Sequence, residues 1–205
     1  MQIISENLYH VYNQGNFKQT VFNDREDYLF FLRYYRKFVA LHCETLAYCL
    51  MPNHFHFLIY ANEKSAEKVK VGGLEVSAFA NGMRLMMSKY AQTINLRFAR
   101  KGSLFRQRTK AKNLTERSDP AGQTVVGSEY AFTCFQYIHQ NPYKAGLVQK
   151  IEDWEFSSFR DYAGLRKGTL CNQVRCNQFI DFDKDNFIQQ SYSVVNEAVL
   201  KKIFA

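Results

Sequence analysis

The run Met51-Pro52-Asn53-His54-Phe55-His56-Phe57-Leu58-Ile59-Tyr60 constrains this chain more than any other. As a strand, it sends His54 and His56 to one face and Phe55 and Phe57 to the other. The phenylalanines can bury in a core behind two imidazoles. Thr45-Leu46-Ala47-Tyr48-Cys49-Leu50-Met51 precedes it as another β-rich run, and Pro52-Asn53 between them reads as a turn, so a hairpin is predicted. Two imidazoles on one strand face can share a divalent ion. They can equally be solvated side chains of a half-exposed strand. Histidine is scarce here, with His10, His42 and His139 the only others.

The flanking sequence supplies the remaining elements. Leu8-Tyr9-His10-Val11-Tyr12-Asn13 alternates as a first strand, and Gln14-Gly15-Asn16 reads as a turn or bulge. Asn23 or Asp24 caps a helix whose apolar side is Tyr28, Phe31, Leu32, Tyr35, Phe38 and Val39. Ala61 to Glu75 is a polar connection of no assigned form. A second helix spans Ser77 to Phe98, with Phe79, Met83, Met86, Tyr90 and Ile94 inward. Leu104 to Ala111 alternates as a strand with a basic face, and Asn113 to Gly127 reads as a loop. A third helix, capped by Ser128, runs to about Gln140, and Pro142 should end or kink it. This order matches the split βαβ pattern. The predicted fold is α+β: a ferredoxin-like antiparallel sheet sandwich with helices on one face, plus a C-terminal helical appendage.

Composition narrows the function. At 46% hydrophobic and 16% aromatic residues the chain is globular rather than disordered. It has no apolar run of membrane-spanning length and no basic-then-apolar secretory signal. Its five cysteines, odd in number and without a C-x-x-C, suit reduced thiols in the cytoplasm. Cys171 and Cys176 offer a zinc alternative, with no second pair to accompany them. The net charge of +8 favours a polyanionic partner. Between Arg84 and Arg117 lie ten cations and one acid, Glu116, so this stretch carries the whole excess. Its cations interleave with Tyr90, Phe98 and Phe105, which suits phosphate contact with base stacking. Arg97, Arg100, Lys101, Arg106, Arg108, Lys110 and Lys112 are the candidate DNA-binding residues.

The third helix carries Tyr137-Ile138-His139-Gln140-Asn141-Pro142. Tyr137 and Asn141 share a face if helical geometry persists. A phenol can attack a phosphodiester, but its usual pKa of about 10 calls for a metal or base nearby. Asn141, through its carbonyl oxygen, could complete a site begun by His54 and His56 that suits Mg²⁺ or Mn²⁺. The bland alternative is that Tyr137 is one core tyrosine among thirteen.

Met51-Pro52-Asn53-His54-Phe55-His56 resembles the M-P-N-H-x-H form of the histidine-hydrophobic-histidine motif of single-tyrosine HUH transposases. Gly102-Ser103-Leu104-Phe105-Arg106-Gln107-Arg108 resembles their G-x-x-F-x-x-R segment. Tyr137-Ile138-His139-Gln140-Asn141-Pro142 with Ala145-Gly146-Leu147-Val148 resembles a block of the REP-associated tyrosine transposase branch. Trp154-Glu155-Phe156-Ser157-Ser158-Phe159 resembles another block of that branch. The resemblance spans about Tyr9 to Gly164 and implies a catalytic domain over 1–164 with a C-terminal helical extension over 165–205. It implies a Mg²⁺- or Mn²⁺-dependent endonuclease and strand transferase acting on single-stranded DNA beside hairpins. Tyr137 would form a 5′-phosphotyrosine, and His54 and His56 would be metal ligands. Insertion-sequence relatives place glutamine where this chain has Asn141, so Asn141, Gln140 and His139 stay open as third ligand. The resemblance leaves monomer and homodimer open. The competing class is a non-catalytic single-stranded nucleic-acid-binding protein, which needs the basic stretch but not the His54, His56 and Tyr137 set.

Overall fold

A computed structural model describes residues 1–116, 125–126 and 128–204. A four-stranded sheet is built from β1 (Asn7–Gln14), β2 (Glu44–Met51), β3 (His54–Ala61) and β6 (Lys110–Asn113). Its order is β2-β3-β1-β6, and every neighbouring pair is antiparallel. Helices α1 (Arg25–Phe38) and α3 (Ala78–Arg97) make the crossovers, giving the expected ferredoxin-like sandwich. Between β3 and α3 lie a short helix α2 (Glu63–Ala66) and a hairpin of β4 (Lys68–Val71) and β5 (Leu74–Ser77). Gly72 and Gly73 turn that hairpin with positive φ angles of 55° and 83°, which glycine adopts without a Cβ clash. This is the form of the connection that the sequence left unassigned.

Alternation divides the sheet as predicted. On one face Val11, Leu50, Phe55, Phe57 and Ile59 pack against Phe31 and Tyr35 of α1 and Phe79, Met83, Met86 and Tyr90 of α3. Both helices start at side-chain caps: Asp24 accepts from the Asp27 amide, and Ser77 from the Ala80 amide. They approach closely at Gly82, where an added Cβ would lie 2.1 Å from the Phe38 carbonyl oxygen.

The opposite face is covered by α4 (Ser128–Lys144) and by elements from residues 165–205. Leu8, Ala47, Cys49, Met51 and Leu58 pack against Ala131, Cys134, Phe135 and Ile138 of α4. Cys176, Ile180, Phe182, Phe187 and Val199 belong to the same cluster. The C-terminal region holds α6 (Gln173–Cys176), α7 (Phe187–Gln190) and α8 (Glu197–Phe204), after α5 (Phe159–Tyr162).

Three local expectations need correction. The predicted strand Leu104–Ala111 is regular only from Lys110, because the Asn13 amide takes the Arg106 carbonyl at 3.1 Å and the Thr109 hydroxyl at 3.0 Å. A single bridge from Gly15 to Phe105 remains ahead of it. The loop expected over Asn113–Gly127 includes Asn113 as the end of β6 and a two-residue pairing of β7 (Thr115–Glu116) with β8 (Val125–Val126). Its remaining part from 117 to 124, and Gly127, lie outside the described residues. Ser128 is itself helical, so it is not the predicted cap.

Pro142 does not stop α4, which continues to Lys144. A proline in the last turn forfeits one donor, and the end is closed by other bonds. The Leu147 amide donates to the Pro142 carbonyl at 3.0 Å and the Gly146 amide to that of Tyr143 at 3.0 Å. Gly146 takes the left-handed angle, φ 68°, that this closure requires.

Candidate active site

Strand register gathers the histidines. Tyr12 lies opposite His56 and Gln14 opposite His54 across β1 and β3, so these side chains share the face that α4 crosses. The two histidine rings lie 4.9 Å apart, and the Tyr137 ring stands edge-on to His56 at 5.4 Å. Helix and strand thus bring the predicted phenol and imidazoles together. They line a cleft of about 340 Å³ with Tyr12, Asn13, Gln14, Arg106, Arg108 and Lys110.

Burial sets the protonation of these groups. It lowers His54 to about 4 and His56 well below its usual value, the latter with help from neighbouring His10 and His54. Both rings are therefore neutral at pH 7, the state that binds metal. His54 Nδ1 lies 2.6 Å from Asn53 Oδ1, and the amide nitrogen of Asn53 donates to the Lys18 carbonyl at 3.3 Å. Nδ1 therefore carries the proton and Nε2 the lone pair. His56 Nε2 is buried with no hydrogen-bond partner among the described residues. Burial raises the Tyr137 phenol, while the Asn141 side chain works in the opposite direction. The Asn141 Nδ2 atom is buried with no hydrogen-bond partner among the described residues, and half a turn about χ2 would put Oδ1 in its place. Imidazole nitrogens and an amide oxygen are donor types that suit a divalent ion with open positions.

The other proposed third ligands are engaged elsewhere. Gln140 Nε2 donates to the carbonyls of Ser191 and Ser193, both at 2.8 Å. His139 Nε2 meets Ser158 Oγ at 2.8 Å, among aromatic rings. Gln136 also reaches the C-terminal region, donating to Ser193 Oγ at 2.8 Å. The helix bearing Tyr137 is thus held from behind by residues 190–193.

The basic residues divide. Arg106, Arg108 and Lys110 line the cleft. Lys112 pairs across the sheet with His10, on the same face. Arg97 instead bridges Asp24 and Asp27 at 2.6 Å each, fixing α3 to the start of α1. Arg100 bonds Gln19, and Lys101 is exposed. Cys176 is a buried thiol and Cys171 a half-buried one, both pushed upward by desolvation, and no group of three His, Cys, Asp or Glu among the described residues is arranged to hold a metal. Trp154 donates to the Leu50 carbonyl at 3.0 Å, and the Ser158 hydroxyl binds β2 through the Tyr48 amide at 2.9 Å rather than capping α5. No helix among the described residues is long and apolar enough to cross a membrane.

Sequence reasoning missed His10 and Tyr12. His10 stacks on His56 at 5.0 Å between ring centroids, and Tyr12 lies tilted beside it at 5.9 Å. Their spacing of two on an alternating strand was a signal, but only register could place them against β3.

No family model matches the chain, and no curated protein matches it in sequence. Among solved structures, it is similar to a REP-associated tyrosine transposase bound to a REP hairpin, at 18% identity and a TM-score of 0.54. The likeness covers 84% of this chain and 92% of that one, and at this identity it is a relation of fold.

Proposed function

We propose that this protein is a metal-dependent endonuclease and strand transferase that acts on single-stranded DNA next to hairpins. The observation that carries the reading is Tyr137 edge-on to His56, 5.4 Å between ring centroids, in a cleft lined by Arg106, Arg108 and Lys110. The fold likeness to a transposase bound to a REP hairpin supports a DNA partner of that kind.

In this reading the three cations draw in the phosphodiester backbone and hold it against the sheet. The Tyr137 oxygen attacks phosphorus, the bond to the 3′-oxygen breaks, and a 5′-phosphotyrosine and a free 3′-hydroxyl result. Attack by a 3′-hydroxyl reverses the step on another strand, so bond energy is conserved. His54 and His56 through Nε2, with Asn141, would hold Mg²⁺ or Mn²⁺. Such an ion, when bound, supplies Lewis-acid polarisation of the phosphate and favours ionisation of a nearby phenol. Burial otherwise keeps Tyr137 protonated.

The test uses a labelled hairpin oligonucleotide with a single-stranded flank, incubated with Mn²⁺ and resolved on a denaturing gel. The parent should form a covalent adduct, Tyr137→Phe should bind without forming it, and His54→Ala with His56→Ala should form none. Adduct formation by Tyr137→Phe removes the phenol from the reaction. Binding without any adduct leaves a single-strand-binding sheet protein.

A further inference from the structure

His10 is wholly buried on β1, one diagonal step from His56 on β3. Its Nε2 lies 2.9 Å from His56 Nδ1, and the two rings are nearly parallel, 21° between planes. At this separation the two nitrogens share one proton, so one ring donates and the other accepts. His56 Nε2, the nitrogen that would hold the ion, is buried with no hydrogen-bond partner among the described residues. A ring nitrogen that binds a metal presents a lone pair, so in the metal reading the His56 proton sits on Nδ1 and His10 Nε2 accepts it. His54 is set the same way by Asn53, at 2.6 Å. A matching proton on His56 Nδ1 gives both strand-mates a bare Nε2.

We propose that His10 is a positioning residue: its Nε2 accepts the Nδ1 proton of His56 and fixes His56 as the tautomer whose Nε2 is open to a divalent ion. This rests on the metal reading above. Asn53 does the same for His54 from a turn, so each imidazole has its own acceptor. Such partners orient a ligand ring and strengthen its basicity.

The test joins a spectroscopic and a binding measurement, neither needing catalysis. In ¹⁵N-imidazole spectra of the metal-free parent at pH 7, His56 should be protonated at Nδ1 and bare at Nε2. In a Tyr137→Phe background, calorimetric titration with Mn²⁺ should show about 10- to 100-fold weaker binding after His10→Leu. His10→Gln, whose amide oxygen can accept the same proton, should restore most of the affinity and keep the tautomer. A parent with the His56 proton on Nε2 overturns the role of His10, as does His10→Leu binding Mn²⁺ as tightly as the parent. A parent that binds no Mn²⁺ overturns the metal reading itself and this proposal with it.

Discussion

His139 makes the stability of this protein depend on pH in a way that one substitution can isolate. The residue follows Tyr137 by two on α4 and is 1% exposed. The ring of Phe135 lies 4.4 Å away and that of Phe159 5.8 Å away, both edge-on. Burial lowers its pKa from 6.5 to about 3. Above pH 6.5 the ring is neutral whether the chain is folded or not, and pH has no purchase on it. Below that, the unfolded chain takes a proton that the folded chain refuses. Stability then declines by about 1.4 kcal/mol per pH unit, levelling off once the folded pKa is passed. From pH 7 to pH 5 the loss comes to about 2 kcal/mol, a large part of the roughly 5–15 kcal/mol typical of a folded domain. His139→Leu removes this dependence and leaves every other histidine in place. Urea unfolding of parent and variant at both pH values measures it. The parent should lose about 2 kcal/mol more than the variant between pH 7 and pH 5. Parallel losses, agreeing within about 0.5 kcal/mol, would refute the burial argument.

Other perturbations separate binding from architecture. Arg106→Ala with Arg108→Ala should weaken hairpin binding and reduce the slope of log affinity against log salt by about 1.5; Arg97→Ala should leave that slope unchanged, because its guanidinium serves Asp24 and Asp27. Arg166→Met should destabilise by about 3 kcal/mol in urea unfolding, since Arg166 pairs with the buried Asp161 at 2.6 Å and donates to the Glu155 and Ser157 carbonyls. A loss under about 1 kcal/mol would mean that Asp161 finds other compensation. Gly82→Ala should lower the melting temperature although alanine favours helix by about 1 kcal/mol, because its Cβ would meet the Phe38 carbonyl oxygen at 2.1 Å. A rise in melting temperature would show that α1 and α3 separate at little cost.

Much of the scaffold could be read from periodicity. The β2–β3 hairpin and both crossover helices are driven by local chemistry: alternating apolar residues, aromatic residues at helical spacing, and the caps Asp24 and Ser77. Prediction failed where distant residues compete for backbone groups. Asn13 takes up the Arg106 carbonyl and disrupts a strand that alternation alone would extend. Pro142 is tolerated because Gly146 and Leu147 close the helix beyond it. Charge counting likewise could not show that Arg97 has acidic partners about seventy residues earlier in the chain.

The sequence by itself determined which side chains could take part, since alternation puts His54 and His56 on one strand face and helical spacing puts Asn141 beside Tyr137. Only the tertiary structure decided that Tyr137 meets His56, and that His10 stands behind His56. Periodicity specifies which way a residue faces along its own element, whereas register and helix docking depend on packing between segments remote in sequence.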